Sequence, residues 1–129
     1  MTHAPLTGRC LCGRTNWRAD TLPLRSDHCH CDSCRRFSGS GFASFACFPG
    51  RALHWTGDPP ARYTSPKGAT RCFCATCGSS LSWASADGPD EIHIHAGSYD
   101  DPEAFRAESQ SFPAERVSWS TIPEGLPES

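Results

Sequence analysis

The chain has 129 residues, 37% of them hydrophobic, nine cysteines and a formal net charge of −2 at pH 7. That length fits one domain, and the slightly acidic balance argues against a nucleic-acid binder, which at this size would be basic. No run approaches the ~18 apolar residues of a membrane span, so no membrane partner is expected.

Taken in chain order, the pattern is β. Residues 1–7 read as a flexible start. Arg9 to Ala19 alternates polar and apolar residues around Trp17. Phe42 to Phe48 is a short aromatic-rich strand stopped by Pro49-Gly50, and Ala52 to Thr56 is the next, ended by Gly57-Asp58-Pro59-Pro60. Ser79 to Ala84 precedes the turn signal Ala86-Asp87-Gly88-Pro89. Glu91 to Ala96 then alternates cleanly, with Ile92 and Ile94 on one face and His93 and His95 on the other. Only Asp100 to Glu108 reads as helical, with Pro102 suited to a first turn. The segment 122–129 reads as a disordered tail, leaving 8–121 as a single domain. With eleven glycines, eleven prolines and a low apolar content, the core is modest and the loops are many.

The cysteines carry the chemistry. Met1 to Leu6 lacks the basic-then-apolar order of a secretory signal, so a cytoplasmic location is expected, where clustered cysteines serve as metal ligands rather than disulfides. The run His28-Cys29-His30-Cys31-Asp32-Ser33-Cys34 places three cysteines within six residues. Three thiolates can grip one zinc from one side and leave its fourth position to water or substrate, whereas four protein ligands usually make a closed structural site. His28 or His30 could close the triad, although on an extended backbone His30 points away from Cys29 and Cys31. Cys10-x-Cys12 suits a strand face, and Cys74-x-x-Cys77-Gly78 has the spacing of a zinc knuckle. These four could form one site tying the start of the chain to its second half, and metal binding would then be folding energy. A zinc ribbon of Cys31-x-x-Cys34 with Cys74-x-x-Cys77 is equally lawful and would strand Cys10, Cys12 and Cys29. Spacing leaves both pairings open.

Three ordered groups resolve the choice by resemblance. Gly8-Arg9-Cys10-Leu11-Cys12-Gly13, then Cys29-His30-Cys31-Asp32-Ser33-Cys34-Arg35-Arg36-x-Ser38-Gly39, then Phe73-Cys74-x-x-Cys77-Gly78-x-x-Leu81 resemble the glutathione-dependent formaldehyde-activating enzyme family. Gly97-Ser98-Tyr99-Asp100-Asp101-Pro102 and Trp119 extend the likeness, which runs from about Gly8 to Trp119. The resemblance implies a mostly-β, β-tent fold of small antiparallel sheets. It implies two zinc sites, a structural one on Cys10, Cys12, Cys74 and Cys77 and an open one on Cys29, Cys31 and Cys34. It also implies a carbon–sulfur lyase, similar to S-hydroxymethylglutathione synthase, acting on a small-molecule thiol such as glutathione and on formaldehyde. The family's name-giving enzyme is longer than this chain.

A zinc held by three thiolates carries net negative charge. That makes it a poor Lewis acid but a good holder for an incoming thiol, which loses its proton on coordination. The competing reading is a non-catalytic, zinc-stapled protein-interaction module, since a fold alone does not fix function. Elsewhere the residues read plainly. Arg35, Arg36 and Arg71 offset thiolate charge or sit in solvent, with a substrate carboxylate as their alternative partner. Ser38 and Ser40 shape a loop, and His93 and His95 form an exposed polar face. Cys47 packs as a small hydrophobe, Cys72 is a packed or partly exposed thiol, Asp100-Asp101 caps the short helix, and Trp17, Trp55, Trp83 and Trp119 are core.

Overall fold

The alternating segments become two β-sheets in the computed structural model, which describes residues 5–122 and 124–129, with the backbone alone at 88 and 89. In chain order the strands are β1 (Leu6–Arg9), β2 (Thr15–Ala19), β3 (Arg25–Cys29), β4 (Ala43–Pro49), β5 (Leu53–Gly57), β6 (Ala61–Thr64), β7 (Ala69–Phe73), β8 (Ser80–Ser85), β9 (Gly88–His95) and β10 (Ser109–Ser111). One helix, α1 (Asp32–Ser38), sits between β3 and β4. The smaller sheet has the order β1-β2-β5 and the larger β10-β3-β4-β9-β8-β7-β6. All pairings are antiparallel except that of β10 with β3. The fold is mostly β, as the alternation requires.

Register decides what each face of the larger sheet does, because directly opposed residues share a face. Phe48 lies opposite Ile92 and Ala46 opposite Ile94, so these side chains form one apolar face. It packs against Trp17, Ala19 and Leu53 of the smaller sheet, with Tyr99 completing the core. Trp17 anchors that core, its ring 5.9 Å from Phe48 and 5.3 Å from Tyr99, and its indole N–H donates to Ser98 Oγ at 2.9 Å. Gly8 makes room for it: a Cβ there would fall 2.3 Å from the indole. The opposite face carries Cys29, Phe45, Cys47, His93, His95, Trp83 and Arg71 in neighbouring register positions.

Several expectations change. The helix expected over Asp100 to Glu108 is a single 3-10 turn, Pro102–Ala104, capped by Asp101. The chain must then run extended so that Glu108 N–H can reach Ser26 O and β10 can pair with β3. The helix that does form, α1, lies within the cysteine run. Cys31 is its N-cap, Asp32 opens its first turn and Gly39 closes it. Trp119 is exposed (70%) rather than core. The segment expected to be a disordered tail is tied down, with Gln110 N–H donating to Pro127 O and Ser129 N–H to Gln110 O. Strand β1 already starts at Leu6, so the ordered chain begins inside the expected flexible stretch. Residues 1–4 and Pro123 lie outside the described residues.

Candidate functional site

Two cysteine clusters assemble. The Sγ atoms of Cys10, Cys12, Cys74 and Cys77 lie within 4.8 Å of one another, as do those of Cys29, Cys31 and Cys34. The ribbon pairing of Cys31 and Cys34 with Cys74 and Cys77 does not form.

The four-cysteine cluster is built from turns. Cys10 and Cys12 were expected on a strand face, but they occupy the connection between β1 and β2, closed by Cys10 N–H to Thr15 O and Gly13 N–H to Cys10 O. The turn brings their sulfurs to 3.6 Å. The second pair follows β7, where Gly78 at φ +79° lets its N–H reach back to Cys74 O. Cys12 and Cys74 meet at 3.8 Å across 62 residues of chain. A zinc with Zn–S bonds of about 2.3 Å at the centre of a tetrahedron asks for S···S edges of roughly 3.8 Å, so this donor set fits one. Backbone N–H groups of Thr76 and Cys77 donate to Cys74 Sγ, both at 3.4 Å, and that of Thr15 donates to Cys10 Sγ at 3.3 Å. Ser79 bridges the two halves: its hydroxyl accepts from Leu11 N–H at 2.9 Å and lies 3.2 Å from Cys77 Sγ. That serine hydroxyl, aided by neighbouring backbone N–H groups, holds the Cys77 thiol down at about 5.

The triad is local. Cys29 ends β3, Cys31 caps α1 and Cys34 lies in its first turn, donating its N–H to Cys31 Sγ at 3.3 Å. Hydrogen bonds within the triad hold Cys31 down at about 2 and push Cys29 far up, so an anionic sulfur is stable there before any cation arrives. Neither neighbouring histidine joins the cluster. His28 Nδ1 pairs with Ser44 Oγ at 2.8 Å and His30 Nε2 with Gln110 Oε1 at 3.1 Å. Among the arginines, Arg71 faces the triad: it is buried, and its guanidinium N–H groups point at Cys34 Sγ at 3.8 and 3.9 Å. Arg35 and Arg36 instead pair with Asp32 at 2.9 and 3.0 Å on the exposed side of α1.

His93 and His95 do not form the exposed face their alternation suggested. Helix α1 covers that side of the sheet. His95 is 8% exposed, stacked 4.6 Å from Phe45 and 5.6 Å from Phe37, and His93 lies 4.3 Å from the Trp83 ring. Burial, aided by the nearby Arg71 guanidinium, pushes the His95 pKa down to about 4, so its ring is neutral. Alternation told the two faces apart but not which side α1 would cover, and Gly39 in the C-cap position was the signal that could have found that helix. Cys47, Glu91 and His93 also bring donors together, but Arg25 takes both Glu91 oxygens, at 2.6 and 3.1 Å. Burial pushes the Cys47 thiol up to about 11, so it stays a packed, protonated hydrophobe.

A cleft of about 400 Å³ runs beside the triad. Ser38, Ser40, Ser44, Ser80 and His95 line it together with Ala43, which packs against Cys29 and Cys34. It adjoins a second hollow of about 350 Å³ that reaches Arg9, Cys10 and Leu11 and shares Ser79, Ser80, Gly97 and Ser98 with the first. Polar side chains thus run from Cys10 to Ala43, the neighbour of Cys29 and Cys34. Among the described residues no helix is long and apolar enough to cross a membrane.

Known proteins share this arrangement. A family model described as glutathione-dependent formaldehyde-activating enzyme matches residues 5–115. An uncharacterized lyase of Schizosaccharomyces pombe is 30% identical over 89 residues, 69% of this chain. The match spans 64% of that relative, just under two thirds of its length. A crystal structure of a Rhodobacter sphaeroides protein superimposes with a TM-score of 0.64 at 20% identity, covering 78% of this chain and 96% of that one. A likeness at that identity speaks for the fold.

Proposed function

Because the chain belongs to the glutathione-dependent formaldehyde-activating enzyme family, we propose that it is a zinc-dependent, carbon–sulfur lyase-like enzyme joining a thiol to a small aldehyde. The thiol is glutathione or a close analogue, and the aldehyde is formaldehyde or one nearly as small. In this reading Cys10, Cys12, Cys74 and Cys77 hold a structural zinc, and Cys29, Cys31 and Cys34 hold a second zinc with one position for substrate. The zinc-binding β-tent domain takes in residues 8–121 together with the start of β1 at Leu6 and the C-terminal segment tied to Gln110, and a reducing, cytoplasmic setting keeps the ligand thiols free.

The observation that carries the reading is the triad itself. Three sulfurs converge behind Ala43, which lines the polar cleft, while His28 and His30 turn to Ser44 and Gln110. Bound there, the metal supplies a seat on which a thiol gives up its proton. The protein does the rest. Arg71 offsets the accumulated sulfur charge without occupying the exposed side, since its guanidinium is buried over the Phe37 ring at 5.3 Å. The serines along the cleft offer hydroxyls to a peptide-like thiol. A relative named as a lyase supports the reaction class.

The test is exchange NMR with glutathione and carbon-13 formaldehyde on zinc-loaded protein. Acceleration of S-hydroxymethyl formation and breakdown above the protein-free rate is expected. A cobalt-substituted sample should also change its visible spectrum when glutathione is added. No acceleration, with a thiol-insensitive cobalt spectrum, overturns the reading.

A further inference from the structure

His95 is the buried group that the reaction as proposed leaves unused, and its position asks for a partner. It ends β9 directly opposite Phe45 and is 8% exposed. Its Nε2 is buried with no hydrogen-bond partner among the described residues, which leaves a polar nitrogen stripped of water and unpaired. A run of contacts links it to the triad: Phe37 packs against the His95 ring at 5.6 Å and under the Arg71 guanidinium at 5.3 Å, and that guanidinium points at Cys34 Sγ. His95 lines the cleft that ends at Ala43, the residue packed against Cys29 and Cys34. His30 offers the instructive contrast. It too has an unpaired ring nitrogen, but its other nitrogen is held by Gln110 and it lines neither hollow.

We propose that His95 is a catalytic residue whose Nε2–H donates a hydrogen bond to the aldehyde oxygen as the thiol adds to its carbon. This rests on the function proposed above. The substrate S–H releases its proton, the sulfur lone pair forms the C–S bond, and the C=O π pair moves to oxygen, which takes up one proton. The proton lost and the proton gained cancel, and nothing is oxidised or reduced. Negative charge builds on that oxygen in the transition state. A donor with no competing partner in the protein is free to answer that charge, and donors held in place by the fold stabilise developing oxyanions best. A neutral imidazole suits the task, because a donor tuned this way does not compete with Arg71 for the charge of the triad.

The test uses the zinc-loaded protein, glutathione and carbon-13 formaldehyde in the same exchange measurement. His95→Phe is expected to lower kcat by about 10²–10³-fold while KM for glutathione stays within about threefold and the zinc content is unchanged. His95→Gln keeps a side-chain N–H and is expected to recover about tenfold of that loss. A second readout needs no variant: the His95 imidazole signal of wild-type protein should shift with S-hydroxymethylglutathione and not with S-methylglutathione, which lacks the oxygen. It decides the matter if the Phe variant fails to fold. A wild type that accelerates exchange while both variants keep its kcat overturns the role of His95 alone, as does an imidazole signal that responds equally to both adducts. A wild type that accelerates nothing overturns the proposed function, and this role falls with it.

Discussion

The two cysteine clusters use the same atom type for opposite ends. The four-cysteine set draws on two turns far apart in the chain, with Cys12 and Cys74 meeting across 62 residues. The triad comes from one short segment that β3 and α1 already hold in place. Closing a long loop removes much of the freedom of the unfolded chain, whereas closing a six-residue one removes little. The surroundings differ as well. Backbone N–H groups and a serine hydroxyl supply the sulfurs of the first set, while a buried guanidinium and a polar cleft flank the second. The first cluster is therefore a device of the fold, and the second is a device of the surface it sits on.

The most direct way to break the comparison is to remove a ligand from each. In the four-cysteine set, Cys74→Ser is expected to unfold the domain. A structural zinc contributes about 10–16 kcal/mol in small zinc domains, as much as the whole stability of about 5–15 kcal/mol that a domain typically has. Circular dichroism should lose its β signal and the zinc content should fall to none. If Cys74→Ser stays folded, the first cluster is not a staple.

In the triad, Cys31→Ser should leave the fold and abolish the chemistry. The serine oxygen can still accept the Cys34 N–H as an N-cap, so the cost to stability is below about 1 kcal/mol and the melting shift below about 5 °C. Half of the zinc and all of the thiol–aldehyde exchange should disappear. Unfolding of this variant instead would make the triad structural and erase the distinction between the clusters.

How much of this the sequence revealed follows from the range of the interactions. The strands of the larger sheet's centre were legible because alternation is local, whereas ligand spacing left two cysteine groupings open and only the resemblance of three ordered motifs to a known family chose between them. Four things were not legible. Helix α1 was hidden because Cys31 and Cys34 read first as ligands, although Cys31 as N-cap and Asp32 in the first turn also satisfy a helix start. The burial of His95 depends on α1 folding over β9, a contact between distant segments that no period encodes. The Cys10-x-Cys12 pair was read as strand because a two-residue spacing fits a pleat as well as a turn, and only the hydrogen bond from Gly13 back to Cys10 selects the turn. The short edge strands β6 and β10 carry too few apolar residues to announce themselves.

A finer cut compares arginines around the triad. Arg71→Ala removes the buried cation that faces Cys34, leaving the sulfur charge uncompensated in a dry setting, and is expected to weaken metal binding there by about 10–100-fold. Arg36→Ala removes an exposed partner of Asp32 worth about 0.3–0.5 kcal/mol and should leave metal affinity unchanged. Chelator competition on the two variants separates them. Equal effects would mean that the charge near the triad is set by the general field of the helix rather than by one placed guanidinium.

The smallest effect is expected at Ser79, whose hydroxyl serves only one of the two clusters. A thiolate can only accept, so in the deprotonated site the serine donates to Cys77 Sγ while accepting from Leu11 N–H. That donation favours the charged sulfur, which is why the Cys77 thiol sits low, at about 5. A thiol whose folded pKa lies below its unfolded one adds stability at high pH and loses it as pH falls through the folded value. Acid therefore releases metal from this cluster by protonating its thiolates in competition with the ion, at a pH below the value of the metal-free Cys77 thiol. In Ser79→Ala the folded value rises toward that of an ordinary thiol, so release moves to higher pH, by less than about one unit because the backbone N–H groups of Ser79 and Cys12 still favour the thiolate. Titrating zinc release against a coloured chelator should show one of two steps displaced and the other unmoved. A shift in both steps would show that the clusters are coupled through the cleft between them, and the division between fold device and surface device would then fail.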